Sequence, residues 1–273
     1  MSSLFMTGRQ KEISVISGYL RRRRSLHLYG PEGVGKSVLL GWIFEQYSKI
    51  DNGFVLIYCR NSGSLTLRGL LIDIATTLLG RYKELRGVDK YREPVVIRSA
   101  KDVDNENIIN LRNIVNRYLR KDRFCLIIDH LENVTPKINS FLTSLYEHAT
   151  IITASRQSWE LTDYRFRGNI GYSLYLVPKV QLENLARKDA YALMEHWYDE
   201  FQIRVKDKAM FFGIIYRITN GNPKVIIDIM RKAQEHDYFR DRICNLKLIH
   251  LDLMIEKHYG NVLLKDMLDI WKR

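Results

Sequence analysis

Eight residues constrain this chain more than any others: Gly30-Pro31-Glu32-Gly33-Val34-Gly35-Lys36-Ser37. They fit the spacing G-x-x-x-x-G-K-[ST] and lie between a short strand-like run, Ser25 to Tyr29, and a helical stretch carrying Val38, Leu39, Trp42 and Ile43. The glycines let successive backbone N–H groups turn inward around an anion, and the following helix adds favourable potential at its N-terminus. The residues Gly30, Pro31, Glu32, Gly33, Val34, Gly35, Lys36, Ser37 and Val38 therefore predict a phosphate-binding loop. Within it Lys36 would reach the β- and γ-phosphates of ATP or ADP, and the Ser37 hydroxyl would ligate Mg2+.

The remainder of the chain reads as two regions. Up to Val177, apolar runs alternate with amphipathic stretches: strands at Phe54 to Cys59, Arg123 to Ile128, His148 to Ala154 and Tyr172 to Val177, and helices at Lys11 to Arg24, Leu65 to Leu79, Ile108 to Leu119 and Ile138 to Tyr146. That alternation predicts an α/β fold, a mainly parallel sheet with helices on both faces. Arg81 to Asp104 is polar and aperiodic and reads as a surface excursion. After Pro178 the strand signals stop, and helices are predicted at Leu185 to Phe201, Lys208 to Thr219, Pro223 to His236 and Leu246 to Tyr259. The expectation is an α/β domain over residues 1–177 and a helical lid over 178–273.

A phosphate loop needs a carboxylate for its metal, and the run Arg123-Phe124-Cys125-Leu126-Ile127-Ile128-Asp129 supplies one. Asp129 would leave the C-terminal end of a buried strand, where ligands of open α/β sheets bind, 93 residues after Lys36. Many hydrolysing relatives of this architecture carry Glu next; here that position is His130, and the nearest other acid is Glu132. Three arrangements stay open: Glu132 polarises water, His130 does so, or neither does and hydrolysis is slow. The next strand ends in Thr153-Ala154-Ser155-Arg156, which would aim Arg156 at transferred charge. The catalytic candidates are thus Lys36, Asp129, Glu132 and Arg156, and the metal candidates Ser37 and Asp129.

These residues together resemble the P-loop ATPases of the AAA+ and STAND groups, replication-initiator-like and transposition-regulator-like members included. Phe5-Met6-Thr7-Gly8-Arg9-Gln10-Lys11-Glu12 is similar to the F-x-x-R-x-x-E segment beside the adenine, one residue longer between Phe5 and Arg9. Thr153-Ala154-Ser155-Arg156 resembles the STAND sensor more than the Asn sensor of AAA+ proteins. Asn220-Gly221-Asn222-Pro223-Lys224 resembles the G-x-P element that opens a lid helix and packs on the base, and Leu182 to Ala190 resembles the start of the first lid helix. The resemblance implies Arg9 and Pro223 as nucleotide contacts, a cleft between core and lid, and a lid that moves on nucleotide exchange. It also implies that Arg165 or Arg167 could serve as a finger to a neighbouring subunit, which requires a homo-oligomer. His130, in place of the usual acid, points to slow hydrolysis.

Charge bears on the partner. The chain carries 43 Lys and Arg against 31 Asp and Glu, a net of +12, and residues 1–177 hold 26 basic against 17 acidic side chains. The excess gathers in Arg21-Arg22-Arg23-Arg24 and in Arg81, Lys83, Arg86, Lys90 and Arg92, which reads as a surface for an anion such as duplex DNA. Apolar runs fall short of the ~18 residues that cross a bilayer, the N-terminus has no secretory pattern, and three scattered cysteines make no disulfide framework. The expectation is a cytoplasmic protein without a membrane partner. No second glycine-rich or acceptor constellation favours a small-molecule kinase, and the chain lacks room after residue 260 for a winged helix. Two readings compete: a DNA-associated nucleotide switch, and a STAND-type signalling ATPase that controls protein partners.

Overall fold

Most of the apolar runs become strands because they alternate between two buried faces. The computed structural model describes residues 6–48, 55–59, 66–132, 134–158, 177–240 and 243–256. In chain order come α1 (Gln10–Arg21), β1 (Leu26–Tyr29), α2 (Lys36–Ser48), β2 (Val55–Cys59) and α3 (Leu67–Tyr82). A hairpin of β3 (Leu85–Val88) and β4 (Pro94–Ile97) follows, then α4 (Ala100–Asn105), α5 (Ile108–Leu119), β5 (Phe124–Ile128), α6 (Pro136–Leu145), β6 (Ala149–Ser155) and β7 (Lys179–Gln181). Strands β2-β5-β6-β1-β7 form one sheet in that order, and every neighbouring pair is parallel.

Strand β5 shows why the sheet is covered on both sides. All five of its residues are buried. Phe124, Leu126 and Ile128 pack with α3, α5 and α6 through Leu70, Ile74, Leu111, Val115, Phe141 and Leu142. Cys125 and Ile127 point the other way and are also fully buried. This is the α/β architecture expected, a mainly parallel sheet with helices on both faces. Helix starts carry the residues that satisfy free N–H groups: the side chains of Thr66, Asn107 and Thr135 each accept a backbone N–H of the turn they open.

Two expectations change. Arg81 to Asp104 is no plain excursion, since α3 runs on to Tyr82 and the β3–β4 hairpin and α4 follow. Buried Leu85 and Ile97 face each other across the hairpin and fasten it to the core, while Val88 and Tyr91 are exposed, so the alternation there is too sparse to read from sequence. Strands also continue past Pro178: β7 pairs with β1 through His27, Leu28 and Tyr29. The strand predicted at Tyr172 to Val177 lies outside the described residues, except Val177.

The second unit gathers Gly33–Gly35 with the residues from Glu183 onward, whereas the first runs through β7 to Leu182. The second holds α7 (Arg187–Glu200), α8 (Lys208–Thr219) and α9 (Pro223–Lys232), a short ladder of β8 (Phe239–Arg240) and β9 (Ile243–Cys244), and helical residues 246–256. Its own core is built on Met194, Phe211, Phe212, Ile215, Ile226, Ile229 and Met230. Helix α9 ends at Lys232, four residues short of the predicted end at His236.

Candidate nucleotide site

The glycine loop leaves β1 and enters α2, the predicted context. Gly35 sits at φ +99°, a left-handed conformation that side chains resist, and a Cβ on Gly30 would stand 2.3 Å from the Leu182 carbonyl oxygen. Lys36 opens α2 and is buried. Its ammonium folds back to donate to the carbonyls of Gly30 at 2.7 Å and Pro31 at 2.9 Å. Burial lowers its pKa from the usual lysine range, and the carboxylates of Glu132, Asp129 and Glu32 oppose that shift while Arg156 adds to it. Five predicted side chains therefore share one electrostatic environment. Pro31, Glu32 and Val38 are exposed, and Val34 is buried.

Asp129 follows β5, as read from sequence, and is 3% exposed. Strand β2 brings Tyr58 beside it. The phenol donates to an Asp129 carboxylate oxygen at 3.3 Å and lies the same distance from the Ser37 carbonyl oxygen, and its ring packs against Phe44 of α2 at 5.6 Å. His130 completes the group: its Nε2 lies 3.3 Å from Ser37 Oγ and 3.7 Å from Asp129 Oδ2. Ser37 and Asp129, 92 residues apart, are thus drawn together through Tyr58 and His130. A hydroxyl and a carboxylate form an oxygen-donor set that suits a hard divalent cation.

Strand β6 lies between β5 and β1, so its C-terminal end opens between Asp129 and the loop. Arg156 stands there. Its guanidinium pairs with Glu32 at 3.3 Å and approaches Glu132 at 3.9 Å, and its backbone N–H donates to both Glu132 oxygens at 3.0 and 3.1 Å. Glu132 is therefore engaged with the end of β6. Beneath it runs a buried polar network that the sequence did not announce. His27 accepts from or donates to Thr153 Oγ1 at 2.7 Å through Nδ1, and its Nε2 lies 3.0 Å from the Gln157 carbonyl and 3.1 Å from Ser155 Oγ. Only a donor can face that carbonyl, so Nε2 carries the proton and Nδ1 accepts from Thr153. Both nitrogens are satisfied by the neutral ring, and burial lowers the His27 pKa to about 4.

Arg9 precedes α1, is buried, and pairs with Glu12 at 3.1 Å. In the second unit Pro223 occupies the first turn of α9 behind its Asn222 cap, and the Lys224 backbone N–H donates to the Gly33 carbonyl at 3.1 Å. Arg21 to Arg24 are all exposed. The 81–92 cluster is partly neutralised inside the protein, because Arg81 pairs with Asp122 and Arg86 with Glu84. Arg165 and Arg167 lie outside the described residues. Among the described residues no helix is long and apolar enough to cross a membrane.

Three comparisons extend this geometry. The chain is 28% identical to human and to mouse replication factor C subunit 5 over 141 residues, 49% of this chain and 39% of each relative, so the match spans well under two thirds of their length. Among solved structures it is similar to the Aeropyrum pernix Orc1 protein in complex with DNA, with a TM-score of 0.64 and 13% identity over 92% of this chain and 67% of that one. It is also similar to domain III of the Thermotoga maritima replication initiation protein DnaA, with a TM-score of 0.54 and 13% identity over 91% and 92%. These two likenesses show the fold alone. The sequence family described as AAA domain matches residues 20–157, just over half of the chain, a stretch that takes in the glycine loop, Asp129 and Arg156, and this chain belongs to that family.

Proposed function

We propose that this chain is a Mg2+-dependent ATP-binding switch that hydrolyses slowly and works on DNA. The observation that carries the reading is the convergence of Ser37 and Asp129 beside the loop, held by Tyr58 and His130. In this reading the loop amides bind phosphate oxygens, and Lys36 leaves the Gly30 and Pro31 carbonyls to meet the β- and γ-phosphates. Ser37 and Asp129 hold the cation, which supplies charge neutralisation at the phosphates when bound. Arg156 exchanges Glu32 for the transferred phosphoryl charge, and Glu132 orients water or holds Arg156. Slow turnover follows from His130 in the position of the usual acid and from the grip of Glu132 on the Arg156 amide. Arg9 and Pro223 are assigned to the base, the first unit, extended from the expected 1–177 through β7 to Leu182, to the ATPase core, and the residues from Glu183 onward to a lid.

Association with DNA is supported by the exposed Arg21–Arg24 stretch, by proteins named replication factor C subunit 5 and replication initiation protein DnaA, and by an Orc1 protein solved in complex with DNA. Those relatives favour a DNA-associated switch over a STAND-type signalling protein. A homo-oligomer with Arg165 or Arg167 reaching a neighbour's nucleotide belongs to the same proposal.

Titration calorimetry with ADP and a non-hydrolysable ATP analogue tests the nucleotide part: Lys36→Ala should abolish binding, and retained affinity would refute it. Glu132→Gln should keep binding and slow turnover. Light scattering after size exclusion, with each nucleotide and with or without duplex DNA, tests the rest. Assembly that needs both ATP analogue and DNA, and that weakens when Arg21–Arg24 become Ala, is expected; a particle indifferent to DNA at low salt would sink the DNA part.

A further inference from the structure

His130 has a backbone that its side chain makes costly. Its φ is +56°, the left-handed region that few residues other than Gly enter, Asn, Asp and His more often than the rest. Three hydrogen bonds hold it there. Its N–H donates to Asp129 Oδ1 at 2.9 Å, the Leu131 N–H donates to the Ala154 carbonyl at 2.7 Å, and the Glu132 N–H donates to the His130 carbonyl at 2.8 Å. Strain held this firmly beside a binding loop points to a purpose for the orientation it produces. The imidazole turns toward the start of α2, its Nε2 facing a hydroxyl and a carboxylate, with the side chain half exposed.

Those two neighbours are the oxygen donors assigned above to the cation. In an octahedral ion with bonds of about 2.1 Å, adjacent ligands stand about 3 Å apart. The separations of 3.3 Å to Ser37 Oγ and 3.7 Å to Asp129 Oδ2 are close to that spacing.

We propose that His130 Nε2 is a third protein ligand of the cation that accompanies the nucleotide. Its nitrogen then raises the affinity for Mn2+ or Co2+ relative to Mg2+, which the same site still accepts. Mg2+ prefers an all-oxygen shell, whereas imidazole nitrogen strengthens binding along the series from Mn2+ toward Ni2+ and Cu2+. This inference rests on the nucleotide reading and deepens it by naming a further ligand of the cation.

The test uses the whole chain with ADP and Mn2+. Pulsed electron paramagnetic resonance on the frozen complex should show a directly bound 14N coupled to Mn2+. His130→Asn and His130→Gly both suit the left-handed backbone and remove the ring. Each should abolish the coupling and lower the preference for Co2+ over Mg2+, measured by calorimetry with ADP, about tenfold. Mn2+ bound with ADP but without nitrogen coupling in the unaltered protein would overturn the inference and leave the nucleotide site standing. Coupling that survives in both variants would also overturn it. Failure of Mn2+ to bind with nucleotide at all would refute the site itself, and this inference with it.

Discussion

His27 makes the fold sensitive to acid in a calculable way. The ring is wholly buried in β1 and neutral, with both nitrogens satisfied by Thr153 and the Gln157 carbonyl. Desolvation lowers its pKa from 6.5 to about 4, opposed by the hydrogen bond to Gln157 and aided by the Lys179 charge. Between those values the unfolded chain binds a proton that the folded chain refuses. Stability is therefore fully present above pH 6.5 and falls as pH drops through the window, by up to about 1.4 kcal/mol per pH unit. The loss should reach about 2 kcal/mol at pH 5 and about 3 kcal/mol near pH 4. Urea unfolding of the native protein and of His27→Gln, at pH 7.5 and pH 5.0, measures it. Other titrating groups act on both proteins alike, so the stability gap should shift by about 2 kcal/mol in favour of the variant at the lower pH. A gap of equal size at both pH values would refute the burial argument.

Three further outcomes are expected. Leu126→Ala empties the centre of β5 against α3 and α6 and should lower stability by about 2–5 kcal/mol in chemical denaturation, with the fold kept. Gly30→Ala drives a methyl group against the Leu182 carbonyl and should cost about 1–3 kcal/mol in thermal unfolding while weakening nucleotide binding. Arg156→Ala removes pairs with Glu32 and with half-buried Glu132 in which the guanidinium itself is exposed, so stability should change by about 1 kcal/mol at most. ATP hydrolysis should nonetheless fall more than ADP affinity, as read by phosphate release beside calorimetry.

Sequence alone leads to the loop, whose spacing needs a strand before it and a helix after it, and to Asp129 and Arg156, which follow apolar runs placed where that α/β pattern expects buried strands. Less visible are the groups that join them. Tyr58 stands in an apolar run that reads as wholly buried, and only the strand alternation, with Ile57 and Cys59 facing the opposite side, turns its hydroxyl toward Asp129. His130 is conspicuous by its place after Asp129, yet its left-handed backbone has no sequence signal, since the hydrogen bonds that impose it come partly from Ala154 on another strand. The His27 network is hidden for the same reason: its partners on β6 lie more than 120 residues away. Strand β7 escapes notice because three residues beside a proline carry no period to read.

The parallel insertion of β1 between β6 and β7 also bears on how the chain comes to fold. The strand that carries the glycine loop appears early in synthesis, but both of its ladder partners come more than 120 residues later. Until Ala149–Ser155 has emerged, β1 has no neighbour to hold it, and the loop that it anchors has no fixed geometry. Closing so long a connection costs conformational entropy that local contacts cannot return, the hallmark of slow, nonlocal assembly. The nucleotide loop should therefore be among the last features to form, and a nascent chain released before β6 should not bind ATP, however intact its eight motif residues are.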